Sequence, residues 1–79
     1  MNVFTTMIAS DDDHEKVFAE IYFAEKFVAL VSQEEGIDQL KVELPSSDLD
    51  ENMILREISM DGFLSALKEA RSKLVGEIP

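Results

Sequence analysis

Four stretches of the chain are rich in branched and aromatic side chains, the residue types that suit the pleated surface of a β-sheet. They predict strands over about residues 3–9, 16–23, 27–33 and 38–44. The last stretch alternates most clearly, so that we expect Leu40, Val42 and Leu44 to point inward and the polar residues between them outward. Polar segments separate the strands, and their Asp, Ser and Gly residues favour turns.

A helix is predicted over residues 60–75, where apolar side chains recur at spacings of three and four. Ser59 is the expected N-cap, because its hydroxyl can accept a hydrogen bond from a free backbone N–H of the first turn. Gly76 can end the helix in the left-handed conformation. The charges agree with these ends, since Asp61 lies at the amino end and Lys73 near the carboxyl end.

The order of these elements predicts an α+β fold, an antiparallel four-stranded β-meander followed by one C-terminal helix packed on the sheet. With 79 residues, the chain is expected to form a single domain over residues 1–79. Pro45 ends the fourth strand and begins a loop-like segment that runs to residue 52. The next segment, Met53 to Ile58, fits either an extended or a loosely helical conformation.

The two central strands are apolar on both of their faces. Regular alternation predicts that Phe27, Ala29 and Val31 share one face of the third strand, with Val28 and Leu30 on the other. A lone helix covers one face of a sheet only. The other face must then be covered by the chain's own segments, by a second copy of the chain, or by a different protein.

The composition is strongly acidic, since 17 Asp and Glu residues against 7 Lys and Arg residues give a formal net charge of −10. Binding to nucleic-acid phosphates requires a basic surface, so we expect no nucleic-acid partner. The same repulsion argues against an anionic membrane surface, and no apolar run approaches the roughly 20 residues of a membrane span. The first residues show no targeting signal, which favours a cytoplasmic protein.

The sequence offers little support for an enzyme. His14 is the only histidine, the chain has no cysteine, and no nucleophile motif accompanies that histidine. Adjacent carboxylates such as those of Asp11 and Asp12 point apart, which is a poor arrangement for converging on Ca²⁺ or Mg²⁺. We therefore expect no catalytic residue, no metal and no cofactor.

Acidic residues cluster in the predicted turns, and in a meander several turns share one end of the sheet. An acidic rim beside exposed aromatic side chains would attract a basic protein partner and slow its departure. The candidate partner-binding residues are Asp11, Asp12, Asp13, Glu15, Phe18, Tyr22, Glu34, Glu35, Asp48, Asp50 and Glu51. The alternative is that the acidity only keeps the protein in solution.

The stretch Phe18 to Gly36, the segment Leu40 to Pro45 and the closing segment Met60 to Ala70 resemble small bacterial proteins encoded beside Rhs-type and other polymorphic toxins. Such neighbours are typically immunity proteins. The resemblance implies an inhibitor that binds a cognate toxin domain and blocks its active site or another essential surface. A nuclease toxin would be basic and would complement an acidic inhibitor. Two alternatives stay open: a small structural homodimer, and a nucleic-acid mimic that inhibits a defence enzyme.

Overall fold

Four strands form an antiparallel sheet, in chain order, within residues 4–46 and 49–76, the part of the chain that the computed structural model describes. The strands are β1 (Phe4–Ala9), β2 (Phe18–Phe23), β3 (Lys26–Ser32) and β4 (Lys41–Glu43). They are followed by a 3₁₀ turn at Glu51–Met53 and by the helix α1 (Met60–Val75). Because α1 packs on one face of this sheet, the predicted α+β meander with a C-terminal helix is confirmed.

The helix has the bounds that its sequence predicts, and both ends are capped. Ser59 Oγ accepts a hydrogen bond from the backbone N–H of Gly62 at 3.1 Å. At the other end Gly76 adopts a left-handed φ of 80°, and its N–H donates to the Ser72 carbonyl at 2.8 Å. The ends agree with the prediction because residues within one helical turn decide them.

Two strands begin later than predicted. β2 starts at Phe18 rather than at residue 16, because the backbone N–H of Lys16 donates to the Glu34 carboxylate at 2.9 Å instead of joining the strand ladder. β4 starts at Lys41 rather than at residue 38, because Gly36 adopts a φ of 102° and its carbonyl accepts from Gln39 N–H at 3.1 Å. Residue 3, the predicted start of the first strand, lies outside the described residues.

The core lies between α1 and the face of the sheet that α1 covers. Ala66 and Ala70 form the buried stripe of the helix, and their small side chains let the backbone come close to the strands. Gly62 has a similar role, since a Cβ atom there would lie 2.6 Å from Cε2 of Phe4. The buried core side chains are Ala19, Ile21, Val28, Ala29, Val31, Ala66 and Ala70.

The helix covers the sheet unevenly, crossing β1 and β2 and reaching only part of β3. Of the three residues predicted to point inward from the fourth strand, Leu40 alone packs against the core. Val42 is 44% exposed and Leu44 is 72% exposed. The inward assignment is therefore wrong for these two residues, because α1 does not extend over them.

A β-bulge breaks the alternation of β3 opposite the Ile21–Tyr22 step. Ile21 pairs with Ala29 but Tyr22 pairs with Phe27, so that Val28 is one extra residue on its strand. Val28 packs in the core, whereas the Phe27 ring lies against Tyr22 on the opposite face. The predicted grouping of Phe27 with Ala29 is therefore wrong, and an aromatic side chain is added to the face that α1 does not cover.

Candidate functional site

The face of the sheet opposite α1 carries an open groove of about 720 Å³. Its floor is made by Glu20 and Tyr22 of β2 and by Phe27 and Leu30 of β3. One wall contains acidic residues of the β1–β2 loop, and the other is formed by residues 43–46, 49–50 and 53–54. We call this surface the open-face groove. It lies where the sequence predicted a second apolar face in need of cover.

The second wall is attached to the edge of β3. Ile54 forms a parallel bridge with Phe27 and is 5% exposed, while the backbone N–H of Leu55 donates to the Phe27 carbonyl at 2.9 Å. β4 pairs only with residues Leu30 to Ser32, so Ile54 occupies the edge of β3 that this short strand leaves open. Of the two conformations predicted for the segment Met53 to Ile58, the structure shows the extended one at Ile54, directly after the 3₁₀ turn.

Arg56 holds the wall segment in shape. Its Nε donates to the Glu51 carboxylate at 2.9 Å, and its two Nη groups donate to the carbonyls of Pro45 at 3.4 Å and Ser46 at 3.1 Å. These bonds connect Pro45 and Ser46, near the start of the second wall, to Glu51 and to Arg56 itself, which follows the last wall residue. Because a guanidinium group presents several donors in one plane, a single side chain can satisfy all three acceptors.

His14 joins the β1–β2 loop to β4 at the side of the groove. Its Nδ1 lies 2.8 Å from Asp11 Oδ1, and its Nε2 lies 3.1 Å from Glu43 Oε2. A neutral imidazole has only one N–H, so the ring donates to both carboxylates only when it is protonated. These hydrogen bonds, that to Asp11 first, raise the pKa of His14 to about 9. The same His14 bond is the main cause that lowers the pKa of Asp11.

The β1–β2 loop is held at its other end by Glu34. The Glu34 carboxylate accepts hydrogen bonds from the backbone N–H of Glu15 at 2.6 Å and of Lys16 at 2.9 Å. These two bonds lower the pKa of Glu34, because they stabilise its charged form. Glu34 thus organises the loop, and the partner-binding role predicted for it stays a prediction.

Phe18 lies beneath this loop. It is 3% exposed, and its ring centroid is 4.6 Å from that of His14. The aromatic anchor expected at Phe18 is therefore wrong, because the loop covers the side chain. Part of the second apolar face is covered by the chain itself, and the rest is the floor of the open-face groove.

The groove has one sign of charge. Six carboxylate residues line it, and among its lining residues in the described part of the chain there is no Lys or Arg. The six are Asp11, Asp13, Glu20, Glu25, Glu43 and Asp50. Protonated His14 compensates one of these charges at most. Burial is the main cause that raises the pKa of Tyr22, and the charge of the nearby Glu20 carboxylate raises it further. The phenol is therefore neutral under ordinary conditions.

The structure brings together four of the predicted partner-binding residues, Asp11, Asp13, Tyr22 and Asp50. Glu35 and Glu51 lie outside the groove and are paired with Lys41 and Arg56. Asp12 and Glu15 are exposed on the β1–β2 loop but do not line the groove. Asp48 lies outside the described residues.

Three carboxylates of the groove were not among the predicted residues. The sequence carried a signal for Glu20. It shares one face of β2 with Phe18 and Tyr22, because every second residue of a strand points to the same side. Glu25 is recognisable only once the hairpin turn is known to border the groove. Glu43 is brought to the site by its cross-strand pairing with Leu30, a register that no local pattern indicates.

Residues 4–46 and 49–76 offer neither a metal centre nor a membrane-spanning helix. No group of three or more His, Asp and Glu side chains there is arranged to hold a metal ion. No helix in this part of the chain is long and apolar enough to cross a membrane.

Comparisons with protein-family models, curated proteins and solved structures find no match to the chain. The geometry and charge of the open-face groove are therefore the features that bear on function.

Proposed function

We propose that the chain is a protein-binding module whose open-face groove holds a basic, partly apolar segment of a protein partner. The observation that carries this proposal is the combination of six carboxylates with an aromatic and aliphatic floor, and the absence of Lys and Arg from the described lining. Such a surface attracts a positively charged partner over a distance and then buries apolar side chains in contact. No catalytic step is part of the proposal.

The apolar part of the groove supports a macromolecular partner. Leu44, Leu49 and Met53 in its wall are 72%, 44% and 60% exposed. Side chains of this size are stabilised when a partner removes them from water, by about 25 cal/mol per Å² of apolar surface. An apolar centre surrounded by charged groups is the usual organisation of a protein interface.

The charge also separates this proposal from two other occupants. Two copies of the groove facing each other would place like charges together, which disfavours a homodimer through this surface. A nucleic-acid mimic requires carboxylates spaced along a surface like phosphates, whereas five of these carboxylates surround a floor that is apolar except for Glu20. A basic protein segment satisfies both the charge and the floor.

The resemblance to immunity proteins adds a more specific form of the proposal. In this form the partner is a cognate toxin domain, and the chain inhibits it in the cytoplasm by covering its basic active site or another essential surface. A nuclease domain is a suitable partner, since it must be basic to hold phosphates.

The first experiment measures binding of a synthetic peptide in which Arg and Leu lie at helical spacing. A peptide with Glu in place of Arg serves as the control. We expect one-to-one binding of the Arg peptide, weakened by added salt, and no binding of the Glu peptide. Binding of both peptides, or of neither, would contradict the proposal.

A pair of variants with equal net charge locates the binding site. Glu20→Gln combined with Asp50→Asn removes two groove charges, and Glu35→Gln combined with Asp12→Asn removes two charges outside it. The first pair should slow association and reduce its dependence on salt, while the second should have little effect. Equal effects would show that only the total charge matters. The toxin-inhibitor form is tested separately, by inhibition and co-purification of the protein encoded by the neighbouring reading frame.

A further inference from the structure

Two irregularities of the backbone meet at one end of the open-face groove. The hairpin between β2 and β3 turns through Ala24 and Glu25, which adopt left-handed φ angles of 52° and 68°. Two-residue hairpin turns of this kind normally use Asn-Gly, because side chains with a Cβ atom are strained there. They are the only non-glycine residues with positive φ in the described part of the chain, and the carboxylate residue of the pair, Glu25, lines the groove.

The second irregularity is the bulge at Val28, which turns Phe27 toward the groove. The rings of Phe27 and Tyr22 are 5.8 Å apart at an interplanar angle of 68°, an edge-to-face arrangement. With regular alternation Phe27 would lie in the core instead. Bulges commonly redirect a side chain in this way beside a binding site.

We propose that this end of the groove is a subsite for the guanidinium group of an arginine side chain, supplied by the basic partner segment. Tyr22 and Phe27 offer aromatic surface, and Glu20 and Glu25 supply negative charge on the floor and at the hairpin. The subsite rests on the proposed function, because it assumes that a basic protein segment enters the groove. We call it the guanidinium subsite.

Arginine fits this chemistry better than lysine. A guanidinium group is planar and weakly hydrated, so it can stack on an aromatic ring while its N–H groups donate to a carboxylate at its edge. A lysine ammonium is a compact and strongly hydrated charge, and it loses more hydration on an apolar floor. A citrulline side chain has nearly the shape of arginine but no charge, which separates stacking from electrostatic attraction.

The test uses three versions of the amphipathic peptide, with Arg, Lys or citrulline at the basic positions. Binding is followed by NMR through the side-chain resonances of Tyr22 and Phe27. We expect the Arg peptide to bind several-fold more tightly than the Lys peptide, because the planar guanidinium group stacks on the rings and loses less hydration than an ammonium group. The citrulline peptide should bind most weakly.

Variants at Phe27 test whether its ring causes the preference for the Arg peptide over the Lys peptide. Phe27→Leu keeps an apolar side chain but removes one of the two aromatic rings, so the preference for Arg over Lys should become smaller. Phe27→Tyr should preserve it. Phe63→Leu makes the same change on α1, at the other face of the sheet, and should leave the preference intact. NMR spectra of each variant verify that it is folded.

The possible failures are distinguishable. Equal binding of the Arg and Lys peptides, with shifts at Tyr22 and Phe27, would overturn the guanidinium subsite and leave the binding groove in place. Tighter binding of the citrulline peptide than of the Arg peptide would also overturn the guanidinium subsite and leave the binding groove in place. Absence of all shifts in the groove would overturn both proposals. Shifts of these resonances on dilution, together with a dimer in sedimentation, would show a second copy of the chain in the groove and would also overturn both.

Discussion

His14 and Glu43 are 29 positions apart in the sequence, yet His14 Nε2 lies 3.1 Å from Glu43 Oε2. This contact connects the loop after the first strand to the last strand of the sheet. Through its other nitrogen the same ring holds Asp11 at 2.8 Å, so two carboxylates on the border of the groove share one cation. The bridge positions one side of the groove and keeps Phe18 covered.

The His14 bridge makes stability depend on pH. The pKa of His14 is about 9 in the folded chain against an ordinary 6.5, so its contribution is fully present below pH 6.5 and is lost as the pH rises through about 9. We expect the wild type to have a higher melting temperature than His14→Gln at neutral pH, and the difference to vanish above pH 9. Thermal unfolding followed by circular dichroism at several pH values measures this. A difference that persists unchanged at high pH would contradict the bridge.

Glu25→Gly should stabilise the fold and weaken binding. Glycine relieves the strain of the left-handed φ of 68° at this position, which we expect to raise the free energy of unfolding by about 1 kcal/mol. The same change removes a carboxylate from the groove, so the Arg peptide should bind more weakly. Urea unfolding and peptide titration measure the two effects. Glu35→Gly is the matched control, because Glu35 has no positive φ and the added backbone freedom should destabilise the chain.

Ile21→Ala should cost about 2–5 kcal/mol of unfolding free energy, a large part of the stability of a small domain. Ile21 is 0% exposed beneath α1, so the truncation leaves a cavity in the core. Ile8→Ala is the control on the neighbouring strand, where the side chain is 44% exposed. The control should cost less than about 1 kcal/mol. Similar losses for the two variants would mean that the core does not lie where the structure places it.

Arg56→Lys should loosen the wall of the groove without unfolding the sheet. A lysine ammonium cannot reproduce the planar set of bonds to Glu51 and to the carbonyls of Pro45 and Ser46. Hydrogen exchange at the backbone N–H of Leu55, which donates to Phe27, should become faster. The amides of the β2–β3 ladder provide an internal control and should keep their protection. Unchanged exchange at Leu55 would show that the wall does not depend on Arg56.

Local patterns in the sequence were sufficient to predict the four strands, the helix and their order. The bounds of α1 follow from the Ser59 cap, the spacing of apolar residues and Gly76, all of which act within a few residues. The meander follows from short polar turns between consecutive strands, since these turns connect neighbours. The same patterns indicated a second apolar face on the central strands, which the structure shows as the floor of the groove and the covered Phe18.

The tertiary structure decided which side chains lie on that face and what surrounds them. The bulge at Val28 moved Phe27 to the groove, the position of α1 left Val42 exposed, and the β1–β2 loop buried Phe18. The groove itself required Ile54 to meet Phe27 and His14 to meet Glu43. These contacts join segments far apart in the chain, so they depend on how complete elements pack together. Side-chain alternation and turn composition describe only neighbours along the sequence, which is why they predicted the presence and order of the strands and the helix but not the site.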